Sequence, residues 1–193
     1  EEHIPDEAGP QGGKLSRSFW ISWVGFIACI SSEFAISFWA AALLKDRVGS
    51  TAAISTVAIV AMGTGMAIGR WYGGFVLGHL KLDTQLLTVI ALQFIGFVGF
   101  WLSHSMIISL ICLFAVGIGI SMQFALSSIR LIGLSDGRPD LAIGRAGLAA
   151  GIAIAGAPFL LGLLGDNFGI SRAYIMVFVL IAIAFVIVKV IPS

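Results

Sequence analysis

The stretch CISSEFAISFW, residues 29–39, places one carboxylate, Glu33, near the middle of an apolar run that extends from about residue 18 to residue 44. A run of about 20 apolar residues is long enough to cross a bilayer as a helix. A carboxylate at that depth is costly unless it is protonated, paired or in contact with water. The stretch therefore predicts a membrane-spanning helix. Glu33 is then either a functional group in a water-filled cavity or a buried acid hydrogen-bonded to a neighbouring helix.

The composition agrees with a membrane location. Of the 193 residues, 59% are hydrophobic and only 11% are charged, and the mean hydropathy is +1.04. About a quarter of the residues of a soluble domain are charged, so this composition indicates an integral membrane protein. The net charge of +1 gives no sign of a nucleic-acid partner. Cys29 and Cys112 both lie in apolar runs, where a packing role is favoured over a disulfide.

The rest of the chain divides into a polar start and further apolar runs. Residues 1–17 are rich in acidic residues, glycine and proline, which predicts a hydrated cytoplasmic linker and a chain cut from a longer one. An all-α, polytopic membrane protein is expected, with a six-helix bundle over residues 18–193. The six predicted transmembrane helices are residues 18–44, 51–78, 84–102, 106–131, 141–165 and 171–191.

The lysines and arginines predict the orientation. With the N-terminus in the cytoplasm, eight of the 11 cations lie on the cytoplasmic side and three on the outer side. Cytoplasmic loops carry the excess of Lys and Arg, so both termini are expected inside. A cell membrane, either an inner or a plasma membrane, is the expected location. The eight are Lys14, Arg17, Arg70, Lys81, Arg130, Arg138, Arg145 and Lys189, and the three are Lys45, Arg47 and Arg172.

The six predicted helices form two similar sets of three. The first and fourth helices carry the polar intramembrane residues, the second and fifth are rich in Gly and Ala, and the third and sixth are apolar nearly all round. The first helix enters from inside and the fourth from outside. Two inverted three-helix repeats of this kind are a known plan of secondary transporters, which bind substrate near the midplane.

Polar residues share one face of the first predicted helix. Ser22, Cys29, Glu33 and Ser37 are spaced by seven, four and four residues, which aligns them on a helix. We expect this stripe to line a cavity in which Glu33 binds substrate or a proton and Cys29 and Ser37 lie beside it.

The fourth predicted helix carries Ser121 and, at middle depth, the amide Gln123. Both are candidate substrate-binding residues. Gln123 either donates to a substrate oxygen or bridges two helices, and the sequence favours neither reading. Gln93, on the third helix, is expected to be structural.

Small residues recur at four-residue spacing on the second and fifth helices. Gly65, Gly69 and Gly73 form one series, and Gly147 and Gly151 begin the other. Small residues at this spacing let helix backbones approach closely, so a packing role is expected for both series. Pro158 is expected to kink the fifth helix.

Three arginines near the predicted cytoplasmic face are candidates for a gate or for structure. Arg70 lies about eight residues before the end of the second helix, where it either extends to the interface or pairs with a carboxylate such as Glu33. Arg130 and Arg145 are expected to follow the positive-inside rule or to latch a gate rather than to contact substrate.

Three stretches resemble the C-terminal half of a major facilitator superfamily transporter. GRWYGGFVLGH, residues 69–79, is similar to the cytoplasmic signature that follows the second helix of each half, although Gly78 and His79 stand where the family has Asp and Arg. GIAIAGAP, residues 151–158, with Gly162 and DNFG at 166–169, resembles the family's Gly-Pro helix and turn. Ser32 and Glu33 with Trp39 are similar to the acidic seventh helix of some members.

The resemblance covers essentially the whole chain, and it implies a protein of twelve helices whose other six lie upstream. It also implies that the first and fourth helices of this half line a central cavity. The second and fifth would face the missing half, and access to the cavity would alternate as the halves rock.

The sequence thus predicts a secondary active transporter of a small organic solute, coupled to protons or another ion, with the bilayer and an N-terminal six-helix half as partners. A six-helix channel or a membrane module without transport activity is the alternative. An enzyme is not expected, because His3, His79 and His104 lie in the tail or in loops and no helix pairs a histidine with an acid. No cofactor and no metal site are expected, and no phosphate-binding loop is present.

Overall fold

The computed structural model of the protein describes residues 14–49 and 52–192, and all regular elements in these ranges are α-helices. Most of the predicted linker, residues 1–13, lies outside the described residues. The helices are α1 (Arg17–Val48), α2 (Ala52–Leu77), α3 (Leu82–Leu102), α4 (Met106–Ile120), α5 (Gln123–Gly133), α6 (Pro139–Phe168), α7 (Ile170–Ala173) and α8 (Ile175–Val190).

Helix α1 has well-formed caps at both ends. The side chain of Ser16 accepts a hydrogen bond from the backbone N–H of Phe19 at 3.1 Å, which satisfies one of the free donors of the first turn. At the other end Gly49 adopts a left-handed conformation with φ of 67°, and its N–H donates to the carbonyl of Lys45. The helix therefore continues beyond the apolar run to Val48.

The apolar run at 106–131 contains two helices instead of one. Helix α4 ends at Ile120 and α5 begins at Gln123, with a turn at Ser121 and Met122. Both the backbone N–H and the hydroxyl of Ser121 donate to the carbonyl of Ile118, at 3.3 and 2.7 Å, so the helical hydrogen-bond pattern tightens there. A short polar side chain that competes for backbone carbonyls explains the interruption.

Five segments of the described chain are long and apolar enough to cross a membrane by length and composition. The remaining predicted span, residues 51–78, corresponds to α2, a 26-residue helix. Its role as a span stays a prediction. The five segments are Arg17–Val48, Leu82–Leu102, Met106–Gly133, Pro139–Phe168 and Ile170–Val190.

Helices α1 and α6 run side by side in the same direction. The indole N–H of Trp23 donates to the carbonyl of Arg145 at 2.7 Å, and that of Trp39 donates to the carbonyl of Pro158 at 3.0 Å. Contacts that advance together along both chains show a parallel pair. Along the first part of α6, buried alanines pack in one cluster with large apolar residues of α1. The buried alanines are Ala142, Ala146, Ala149, Ala150 and Ala153.

Helices α2 and α4 approach closely because glycines lie at their contact. A Cβ added at Gly65 would collide with the carbonyl oxygen of Phe114, and one added at Gly117 would collide with the carbonyl oxygen of Met62. Further along, Gly69 lies against Ser121. Gly65 and Gly69 of α2 therefore pack against α4 and against the turn that follows it.

Helices α3 and α8 are joined by aromatic side chains. The ring of Phe178 lies 4.7 Å from that of Phe97 and 5.2 Å from that of Trp101. Phe97 also stacks on Tyr174, which is fully buried. Because Phe94 contacts Phe178 and Phe97 contacts Tyr174, the two helices run antiparallel.

The glycine contact between α2 and α4 can be tested by adding one methyl group. Gly117→Ala is expected to lower the free energy of unfolding by about 1–3 kcal/mol, because the new Cβ overlaps the backbone of α2. Gly63→Ala is the matched control, since nothing lies within 4 Å of its Cβ position. Thermal unfolding followed by tryptophan fluorescence measures both. A Gly117→Ala protein as stable as the Gly63→Ala control would contradict the close approach.

Candidate functional site

Glu33 lies half-buried at the middle of α1, and its carboxylate has no close partner. The two ion pairs found in the described chain do not include it, and only its backbone carbonyl accepts a hydrogen bond. Arg70 of α2 is near enough to act on Glu33 electrostatically but does not form an ion pair with it. The direct pair between Glu33 and Arg70, which the sequence left open, is therefore not made in this structure.

The polar stripe of α1 divides into a buried part and a half-exposed part. Ser22 and Cys29 are 3% and 1% exposed and lie inside the bundle. Glu33 and Ser37 are half-exposed, and the Ser37 hydroxyl donates to the carbonyl oxygen of Glu33 at 2.8 Å. Of the predicted stripe, only Glu33 and Ser37 thus reach the surface of this chain.

Aromatic residues accompany Glu33 on α1. Phe38 is 64% exposed and its ring lies 6.2 Å from that of the half-buried Phe34. Trp39 instead turns towards α6, where a Cβ on Gly162 would lie 2.9 Å from its ring. Phe34 and Phe38 therefore form an apolar surface near the carboxylate, whereas Trp39 is part of the contact between α1 and α6.

Gln123 belongs to a buried chain of hydrogen bonds that links three helices. Its amide nitrogen donates to the side-chain oxygen of Gln93 at 2.8 Å and to the carbonyl of Gly119 at 3.1 Å. The amide of Gln93 donates in turn to the hydroxyl of Ser32 at 2.9 Å. All three side chains are at most 1% exposed. This geometry favours the helix-bridging reading of Gln123, and a contact with substrate stays a prediction.

Two buried polar atoms on α5 have no hydrogen-bond partner in the described chain. They are the side-chain oxygen of Gln123 and, one turn further on, the hydroxyl of Ser127. Buried polar atoms without a partner carry a free-energy cost of about 1–3 kcal/mol. The buried region beside α5 therefore contains two side-chain oxygen atoms that can accept a hydrogen bond, close to the bridge between Gln93 and Gln123.

Ser121 and Arg70 meet at the turn between α4 and α5. The Nε–H of Arg70 donates to the carbonyl oxygen of Ser121 at 3.3 Å, and the Ser121 side chain contacts Gly69. Ser121 is 6% exposed. Its predicted place in a substrate site is untested, and its observed contacts are with the helix junction.

Arg130 is the most deeply buried cation at the predicted cytoplasmic end. It is 2% exposed, and its Nε–H donates to the carboxylate of Asp83 at 2.9 Å. Its other nitrogens donate to the hydroxyl of Ser22, at 2.8 Å, and to the carbonyl oxygen of Ile191. One guanidinium thus joins α1, α3, α5 and the end of α8.

The sequence interpretation missed Asp83, which it assigned to a turn. The structure places Asp83 in the first turn of α3. The sequence did contain a signal for an ion pair. It has an acidic residue at the start of one apolar helix and an arginine near the end of another. The separation of 47 residues leaves no local pattern that joins the pair.

Arg145 has a different environment from Arg130. It is exposed on α6, and its guanidinium lies 5.8 Å from the ring centroid of Trp20. At the opposite end of the bundle Arg47 lies 5.6 Å from the ring of Trp101 and donates to Ser171. Cations thus tie helices together at both ends of the molecule.

The second series of small residues does not pack within the described chain. Gly147 and Gly151 of α6 are exposed, and nothing lies within 4 Å of a Cβ built on either. Their predicted packing is therefore not made by the described residues, and it stays a prediction. Pro158 lies inside α6, which continues through it to Phe168.

No group of three or more His, Cys, Asp or Glu residues able to hold a metal ion was found in residues 14–49 and 52–192.

No protein-family model matches the chain, and no curated protein matches it. Among solved structures it is similar to the crystal structure of the major facilitator superfamily (MFS) transporter FucP in the outward conformation. The TM-score is 0.77 and the sequence identity 15%. The match covers 92% of this chain and 43% of the FucP chain. The chain therefore has a fold similar to somewhat less than half of that transporter.

Removing the Arg130 guanidinium is expected to destabilise the bundle. Arg130→Met should lower the free energy of unfolding by about 3–5 kcal/mol, because it removes the buried cation of the pair with Asp83 and its hydrogen bonds to Ser22 and Ile191. Arg145→Met is the control, since that guanidinium is exposed and contacts one aromatic ring. Thermal unfolding and the yield of monodisperse protein in detergent report the effect. Equal stability of the two variants would show that Arg130 does not join the helices.

Proposed function

We propose that this chain is one six-helix half of a secondary active transporter that moves a small organic solute across a cell membrane by alternating access. The observation that carries the proposal is the fold, which matches an MFS transporter over 92% of the chain. In the proposed arrangement α2 also crosses the membrane, which gives six spans, and these form two inverted repeats of three helices.

The arrangement of helix directions supports the inverted repeats. Helix α1 and the α4–α5 segment run antiparallel, because Ser22 contacts Arg130 whereas Phe26 contacts Phe124. Helices α2 and α4 run parallel, because Met62 lies against Gly117 and Gly69 against Ser121. In an inverted repeat, the first helix of one triplet runs opposite to the first helix of the other, as α1 and the α4–α5 segment do.

Glu33 is the proposed coupling residue, binding a proton or the substrate. Its carboxylate has neither an ion pair nor a hydrogen bond in the described chain. An intramembrane carboxylate with no fixed partner can take up and release a proton as its access to water changes. Ser37, beside it, and the exposed ring of Phe38 supply polar and apolar contacts for a small solute.

A second six-helix half is the proposed partner. The chain spans 43% of FucP, so the remainder of such a fold lies outside the described residues. The open face of α6 at Gly147 and Gly151 is suited to close backbone contact with another helix. Arg70, which is exposed and bonded to the turn between α4 and α5, lies where it could follow a movement of that turn.

The coupling role of Glu33 can be tested in proteoliposomes that hold the full-length protein and a trapped pH dye. A panel of sugars, organic acids and amino acids first identifies a solute that drives proton movement. Glu33→Gln is then expected to reduce proton movement to the level of protein-free liposomes while solute exchange continues, because the amide cannot titrate.

The matched control is Asp46→Asn, which alters an exposed carboxylate near the end of the same helix and is expected to leave proton movement unchanged. Proton-coupled uptake that persists in the Glu33→Gln protein with its pH dependence intact would show that Glu33 is not the coupling residue.

The proposed orientation places both termini in the cytoplasm, following the eight cations on that side. A reporter fused after Ser193 is expected to be active as a cytoplasmic fusion. The same reporter inserted at His104, in the loop between α3 and α4, is expected to report the outer side. A Ser193 fusion that reports the outer side would overturn the orientation.

A further inference from the structure

An apolar groove lies between α3 and α8, away from Glu33. Its volume is about 430 Å³ and its lining has no polar surface. The wall on α3 includes Ile90 and Phe94, and the wall on α8 includes Ile181 and Phe185. A groove of this kind on a helix pair that spans the bilayer is open to hydrocarbon, so its occupant is expected to be apolar along its length.

Two lysines lie at one end of the same helix pair. Lys81 precedes the first turn of α3 and Lys189 is in the last turn of α8, and both are exposed. Neither forms an ion pair in the described chain. The nearby carboxylate of Asp83 forms an ion pair with Arg130.

Arg130 holds together the two helix ends that carry these lysines. Its guanidinium binds both the Asp83 carboxylate and the Ile191 carbonyl, which ties the start of α3 to the end of α8. Lys81 and Lys189 each precede one of these anchored residues by two positions. The two helices that line the groove are therefore held together at the end where the two lysines lie.

The distance along each helix from its lysine to a residue of the groove is close to the thickness of one leaflet of a bilayer. Lys189 and Ile181 are separated by eight residues, about 12 Å of helix rise, and Lys81 and Ile90 by nine, about 14 Å. One leaflet of the hydrocarbon core is about 15 Å thick. Ala182, Val186 and Lys189 follow one another at helical spacing, so the charge and the groove share a face of α8.

We propose that the α3–α8 groove binds an anionic phospholipid, with an acyl chain in the apolar groove and the phosphate at Lys81 and Lys189. A phospholipid combines an apolar chain with a charged group about one leaflet away, as the groove and the two lysines do. A zwitterionic lipid fills the groove equally well but gains less from the two charges. The site is separate from Glu33 and does not depend on transport.

The proposal predicts selectivity for lipid charge. Each lysine near the membrane surface is expected to favour an anionic headgroup about fivefold, so the pair should give a preference of the order of tenfold or more. The full-length protein is equilibrated with equal amounts of phosphatidylglycerol and phosphatidylcholine of identical acyl chains. The lipids that it retains after detergent exchange are then counted by native mass spectrometry.

Two variants separate the headgroup from the acyl chain. Lys81→Gln combined with Lys189→Gln is expected to abolish the preference for phosphatidylglycerol, whereas Lys45→Gln, an exposed cation at the other end of the bundle, should retain it. Ala182→Phe is expected to fill the groove and to reduce retention of both lipids. Ile107→Phe, on an exposed surface of α4, is the control for added bulk.

Direct labelling tests the location without a variant. Phosphatidylglycerol that carries a photoactivatable group in its acyl chain should label peptides from α3 and α8 in the unmodified protein. Equal retention of the two lipids, a preference that survives the double lysine change, or labelling confined to other helices would each overturn the proposal. Labelling of α3 and α8 remains decisive if Ala182→Phe does not fold.

Discussion

The structure depends on the need to satisfy polar groups where no water is available. In the interior of a membrane protein an unpaired donor or acceptor is costly, so polar side chains must find partners on other helices. Arg130 does so with a carboxylate, a hydroxyl and a carbonyl. Gln93 and Gln123 do so with each other and with Ser32. These bonds select one arrangement of helices among many that would bury apolar surface equally well.

Glu33, like the side-chain oxygen of Gln123, departs from this pattern. Its neighbours on α1 are either buried, as Cys29 is, or bonded to their own helix, as Ser37 is. The carboxylate itself is half-exposed and has no bonded partner in the described chain. A group in that position is compatible with a membrane protein when water, a substrate or a second half of the protein reaches it. In the described chain, no protein group offsets the cost of placing the Glu33 carboxylate at this depth by a direct bond.

Hydropathy was enough to predict an all-helical membrane fold, because a span needs only a long apolar run. The turn at Ser121 and Met122 was beyond its reach, since the run through residues 106–131 is uninterrupted in hydropathy and the break arises from hydrogen bonds of one hydroxyl. The partners of buried polar groups were equally inaccessible. Arg130 and Asp83 lie 47 residues apart, and nothing in the spacing of either residue indicates that the two helix ends meet.

The two glycine series show why a sequence pattern identifies a kind of contact but not its partner. Gly65 and Gly69 lie against α4 and the turn after it, where an added Cβ would strike backbone or side-chain atoms. Gly147 and Gly151 have the same spacing and face open space. Spacing shows that one face of a helix is smooth, whereas the position of the helix in the bundle decides what meets that face. In α2 that face packs against α4, whereas in α6 it meets none of the described residues. The spacing therefore predicts that a helix can be approached closely, but only the positions of the other helices decide whether the contact is made.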